Sequence, residues 1–208
     1  MGLADRSVRD FLEAVASSTP TPGGGSVAAL SGALSAALSR MVSALAIGKQ
    51  GYENVEEELR RLESRGQELQ QRLLRLVDED AAAYDAVVAA MRRPKTTETE
   101  REARVNAIQS AYLHATEVPL DTMEACSEAL EIALAAAEKG NRSAVTDAGV
   151  AALLAQAGLR SASLNARINL AALRDHAVRA QLEKRLAAII EEADKVGHQV
   201  MTLVEGRL

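Results

Sequence analysis

The sequence predicts an all-α protein, a single domain over residues 1–208 built as an array of about six helices, several of them long. Three observations carry that expectation. Apolar residues recur at helical spacing in every long segment, and none sustains the two-residue alternation of a strand flanked by turn signals. Hydrophobic residues make up 48% of the chain but aromatics only 2%, so the core must be assembled from Leu, Ala, Val and Ile, which suits closely packed helices. A chain of 208 residues is long enough to bury a real core.

Residues 5–17 form a short amphipathic helix that Pro20 and Pro22 stop. A second helix runs from Ser26 to Ile47, and its small residues Ala29, Gly32, Ala33, Ala36 and Ala37 let another backbone approach closely. The third begins near Tyr52 and continues to Met91, ahead of Pro94. Thr97 with Glu100 three residues later is a capping-box pattern that opens the fourth. Pro119 is expected to kink or break that helix, and Gly140 to close it. The fifth spans Ser143 to Arg174 and the sixth Ala177 to Val204.

Net charge and cysteine content exclude several classes. A net charge of −5 leaves no clustered surplus of Lys and Arg for nucleic acid. The single Cys126 allows no intrachain disulfide, and three scattered histidines supply no zinc spacing, so no metal site is expected and a cytoplasmic location fits. The Gly23–Ile47 stretch holds Arg40 and five serines, which argues for a soluble chain without a membrane partner.

Three places carry chemistry. The apolar seam of the third helix follows Leu59, Leu62, Leu69, Leu73, Leu76, then Tyr84, Val87 and Met91, and it lands on Asp80 where the pattern asks for a leucine. A carboxylate there has its charged form disfavoured and its pKa raised, so it can give and take a proton near neutrality. Equally, it can face a solvent-filled groove or accept buried hydrogen bonds that fix register. Gly23, Gly24, Gly25 and Ser26 bring free N–H groups to the positive end of a helix, fit for an anion, or else simply make a tight turn. In residues 140–173, Asp147, Asn165 and Asn169 dot a stripe of small side chains along one helix. That stripe can line a flat pocket for a polar heterocycle, or serve helix packing.

Together, "PGGGSVAALSGALSAALSRMVSALAIGK", "LVDEDAAAYDAVVAAMRRPK" and "GNRSAVTDAGVAALLAQAGLRSASLNARINL" resemble the cyclodeaminase domain of formiminotransferase-cyclodeaminase and its stand-alone bacterial relatives, which include a methenyltetrahydrofolate cyclohydrolase. The likeness spans nearly the whole chain. It implies an all-α folate enzyme that works as a homodimer or larger assembly, with Asp80 as the catalytic residue. It further implies that the Gly23–Ser26 turn, Lys49, Lys95, Asp147 and Asn169 surround the folate. Arg93 before Pro94 departs from the expected leucine, and Ala46 before Ile47 from a threonine.

On this resemblance, the expected reaction is cyclodeamination of 5-formiminotetrahydrofolate to 5,10-methenyltetrahydrofolate and ammonia, with Asp80 as general acid and base and no cofactor beyond the tetrahydrofolate substrate. The glutamate tail is expected at Lys49 or Lys95, and the donor edge of the pterin at Asp147. The alternative is hydrolysis of the methenyl bridge to 10-formyltetrahydrofolate, which needs the same single acid/base. No segment of the sequence resembles a formiminotransferase, so a role in histidine catabolism would require a separate transferase. A helical interaction protein without turnover is the reading from another class.

Overall fold

The computed structural model describes residues 2–208. Six α-helices follow in order: α1 Val8–Val15, α2 Gly24–Ala44, α3 Glu56–Met91, α4 Glu98–Lys139, α5 Val145–Leu170 and α6 His176–Glu205. Three 3-10 turns, Leu3–Asp5, Glu53–Val55 and Arg142–Ala144, supply the remaining regular structure, and no strand occurs among the described residues. The all-α expectation therefore holds.

Boundaries moved where capping chemistry decided them. Helix α1 starts late because the Ser7 hydroxyl accepts from Asp10 N at 3.1 Å and fixes the entry there. Helix α2 starts two residues earlier than the serine suggested, with Gly23 as its cap. The capping box of α4 forms as read: Glu100 N donates to Thr97 Oγ1 at 3.2 Å, and Thr97 N donates to Glu100 Oε2 at 2.9 Å.

Pro119 does not break α4, which runs unbroken for 42 residues, about 63 Å at 1.5 Å per residue. A proline inside a helix removes the N–H that would bond the carbonyl four residues back and crowds that carbonyl. Here that carbonyl belongs to Ala115, and Asn169 Nδ2 of α5 donates to it at 2.6 Å. With the orphaned acceptor satisfied by a neighbouring helix, α4 continues.

Helix α4 packs against α2, α3, α5 and α6, while α3, α2, α5 and α6 form a row in which each touches the next. One continuous apolar core draws residues from all six helices and consists mainly of Ala, Leu and Val. Small residues make the close contacts. A Cβ on Gly158 would sit 2.8 Å from Ala28 O, and one on Gly32 would sit 2.7 Å from Cys126 Sγ, so α2 and α5 cross at backbone distance over α4. Ala29, Gly32, Ala33 and Ala36 are buried as expected, and Cys126 is fully buried, which pushes its thiol up to about 12.

Helices α2 and α5 run antiparallel, since Gly24 lies beside Asn165 while Asn141, ahead of α5, donates from its backbone N to Val42 O and from Nδ2 to Leu45 O. By length and composition α2 is apolar enough to cross a membrane, yet half of that stretch is buried in the bundle. Its outer side remains uncovered by this chain: Val27, Leu34, Met41 and Leu45 are exposed, as are Val150, Leu153, Leu164 and Ile168 on neighbouring α5.

Candidate functional site

The apolar seam of α3 is buried as read through Leu76 and again at Val87, but not at Tyr84 and Met91. Leu59, Leu62, Leu69, Leu73 and Leu76 are buried, but Tyr84 and Met91, next on the stripe, are 44% and 42% exposed. Beyond Leu76 the buried positions shift to Val77, Ala83, Val87 and Ala90. The stripe loses its cover where the facing segment becomes Gly23–Gly25, which has no side chains to fill the space. A cleft of about 430 Å³ opens there, bounded by Asp80, Tyr84 and Met91 of α3, the glycine turn, Tyr112 of α4, and Asn165 and Asn169 of α5.

Asp80 sits half-buried at the inner end of this cleft. The glycine opposite is required by steric fit, because a Cβ on Gly25 would lie 1.9 Å from Asp80 Oδ1. The Ser26 hydroxyl, fully buried behind the carboxylate, lies 3.1 Å from Asp80 Oδ2 and 2.9 Å from Val77 O, with a single proton to donate. Burial raises the Asp80 carboxyl above its ordinary value of 3.8, and the hydroxyl and backbone N–H of Ser26 pull the other way. Asp80 makes no ion pair among the described residues, and no lysine or arginine lines the cleft. Burial thus moves this carboxyl toward its neutral form, the direction that proton exchange near neutrality calls for.

The residues singled out from the sequence divide by position. Asp80, Gly23, Gly24, Gly25, Asn165 and Asn169 share the cleft, and Ser26 lies behind it instead of facing it. Lys95 is exposed in the α3–α4 connection, four residues past Met91 at the cleft's edge. Lys49 and Asp147 are elsewhere. Asp147 lies in the first turn of α5, 22 residues and about 33 Å along the helix from Asn169, and Lys49 follows the far end of α2. Within one chain they do not meet a ligand held by Asp80, because helix length separates residues that the sequence places on one face.

Sequence reasoning missed Tyr112 as a wall residue and took Tyr84 for core. A signal was present: the chain has only three tyrosines and one phenylalanine, and two of those four rings line this cleft. The third tyrosine, Tyr52, accepts from Arg142 N at 3.1 Å at the opposite end.

Comparison with known proteins places these features in a lineage. The sequence model of the family described as formiminotransferase-cyclodeaminase matches residues 7–188. A methenyltetrahydrofolate cyclohydrolase of Methylorubrum extorquens is 41% identical over 204 residues, 98% of each chain. The formimidoyltransferase-cyclodeaminase of Rattus norvegicus is 34% identical over 205 residues, 99% of this chain but only 38% of the rat protein. The crystal structure of formiminotetrahydrofolate cyclodeaminase from Thermotoga maritima superimposes with a TM-score of 0.88 at 30% identity, covering 97% of each chain. A half-buried aspartate facing a glycine turn thus sits on a fold and a sequence that agree along almost their full length: the chain belongs to the formiminotransferase-cyclodeaminase family.

Proposed function

We propose that the protein is a folate enzyme acting on the one-carbon bridge between N5 and N10, and that hydrolysis of 5,10-methenyltetrahydrofolate to 10-formyltetrahydrofolate is its principal reaction. The observation that carries this reading is the cleft's charge: one carboxyl group of raised pKa and no cation. The methenyl bridge is an amidinium, so its positive charge suits a pocket whose one formal charge is negative. Water adds to the bridge carbon as ionised Asp80 takes its proton. The C–N5 bond then breaks as Asp80 returns that proton to N5 and the carbinol hydroxyl gives up its own proton to solvent, leaving a neutral formyl group on N10 with one proton released overall. General acid–base catalysis of this kind contributes about 10²–10⁴-fold. Tyr84 and Tyr112 offer rings against which a flat heterocycle can lie.

Full-length similarity at 41% to a protein named for that hydrolysis favours it. A second reading, cyclodeamination of 5-formiminotetrahydrofolate, is favoured by the fold shared with the Thermotoga maritima cyclodeaminase. It uses the same carboxyl: N10 attacks the formimino carbon, Asp80 accepts the N10 proton and delivers it to the departing ammonia. Two spectrophotometric assays separate the readings. Loss of the methenyl chromophore on hydrolysis is expected to be the faster, and its appearance from 5-formiminotetrahydrofolate the slower. Reversed rates make the protein a cyclodeaminase, and neither rate overturns the folate reading.

The reading includes a homodimer formed through the uncovered face of α2 and α5. That face is about 31 Å long and two helices wide, on the order of 600 Å² per copy, comparable with a standard interface. Helix α2 has one charged residue, Arg40, and it is turned away to Glu63 of α3, so a second copy of the same apolar face is the fitting cover. Ile168 and Gly24 belong both to this face and to the cleft, and a second copy would therefore wall the site.

A further inference from the structure

The two asparagines on the cleft wall are held in one sense. Asn165 Nδ2 donates to Ser161 O at 3.0 Å, and Asn169 Nδ2 donates to Ala115 O at 2.6 Å. A backbone carbonyl only accepts, so one N–H of each amide is spent on the protein, and the amide oxygen, which has no hydrogen bond among the described residues, is left for a ligand. Both residues line the cleft one helical turn apart. The wall therefore presents two amide oxygens as acceptors, held in that orientation by those bonds.

The second anchor exists because of a residue that touches no part of the cleft. Pro119, buried inside α4, has no N–H to give the carbonyl four residues back, and that carbonyl is Ala115 O. The peptide oxygen is thereby released from the helix ladder and turned to Asn169.

We propose that Pro119 is a positioning residue that fixes the Asn169 amide through Ala115 O, so that Asn165 and Asn169 together offer paired oxygens which select a heterocycle edge bearing adjacent N–H donors. This rests on the folate reading and deepens it. In a pterin that edge is the ring N–H beside the 2-amino group. It takes the place of the contact expected from Asp147, which lies at the other end of α5. A site built to accept from two donors rejects an analogue lacking one, because an acceptor is then left unpaired.

The test has two arms. In ligand-free protein, the Asn169 side-chain NH₂ protons are expected to exchange slowly by ¹⁵N NMR, and in Pro119→Ala, where residue 119 regains its N–H, at least about tenfold faster. Unchanged exchange overturns the role of Pro119. In the binding arm, calorimetry compares 5-formyltetrahydrofolate with its 2-desamino analogue. The wild type is expected to prefer the amino form by about tenfold or more, a preference that falls several-fold in Pro119→Ala and vanishes in Asn169→Leu. Equal affinity of the wild type for the two ligands overturns the paired-oxygen assignment. Binding of neither overturns the assignment together with the folate reading, while the exchange arm still decides the link between Pro119 and Asn169. Asn169→Leu is checked by circular dichroism, and a misfolded variant is replaced by Asn165→Leu.

Discussion

The antiparallel pair α2 and α5 ends in two different ways, and each end turns on a missing Cβ. At the far end, a Cβ on Gly140 would lie 2.5 Å from Ala136 O and 2.7 Å from Val42 Cγ1. The space is filled by protein, and Asn141 ties the corner to Val42 O and Leu45 O. At the near end, the space beside Gly25 is filled by the Asp80 carboxyl group, and beyond it lies the open cleft. The same absence closes a joint at one end and seats a carboxyl group at the other. What distinguishes the two glycines is the atom opposite each.

The comparison can be broken most directly at the acid. Asp80→Asn is expected to lower kcat by about 10²–10⁴-fold while leaving the fold intact, measured by the methenyl assay and circular dichroism. Stability gives the sign of the burial effect. Because the folded pKa of Asp80 is raised above 3.8, its ionisation opposes folding as pH rises through the folded value, whereas Asn has no such term. The melting temperature of Asp80→Asn relative to wild type should therefore climb from pH 4 to pH 7, and a constant difference would remove the raised pKa from the account.

A matched pair of glycine variants sharpens it. Gly25→Ala must displace the carboxyl, and a shift of that size costs activity on the order of 10²-fold with a modest change in melting temperature. Gly140→Ala overpacks a filled corner, expected to cost about 1–3 kcal/mol in a denaturant titration with kcat nearly unchanged.

Next comes the apolar face. Leu34→Arg places a charge at its centre and is expected to convert a dimer to a 22.0 kDa monomer in light scattering, with retained helicity. The smallest effect is assigned to Lys95→Ala, with KM raised roughly two- to fivefold and kcat unchanged.

Much of the fold was legible from the chain because helix periodicity and caps are local. Thr97 with Glu100 and the apolar run of α3 needed no partner to be read. The break allowed for at Pro119 does not occur because its compensation comes from Asn169, 50 positions away in sequence, and no local rule contains that donor. The same limit applies to the site. Asp80 stood out as an interruption of a period, but Asp147 and Asn169 share a helix face in sequence while lying about 33 Å apart in space. Tyr84 looked like core because periodicity records a stripe and cannot see where the opposing wall is absent.

Ser26 has one consequence for how the reaction cycles. Its hydroxyl stands between an oxygen that never changes charge, Val77 O, and one that does, Asp80 Oδ2. When Asp80 is ionised the hydroxyl hydrogen swings to the carboxylate, and Val77 O keeps its helical partner. When Asp80 is protonated the hydroxyl swings back to Val77 O and exposes a lone pair to the acid. In the proposed mechanism, this contact follows each gain and loss of the Asp80 proton by rotation of one hydrogen about the Ser26 C–O bond.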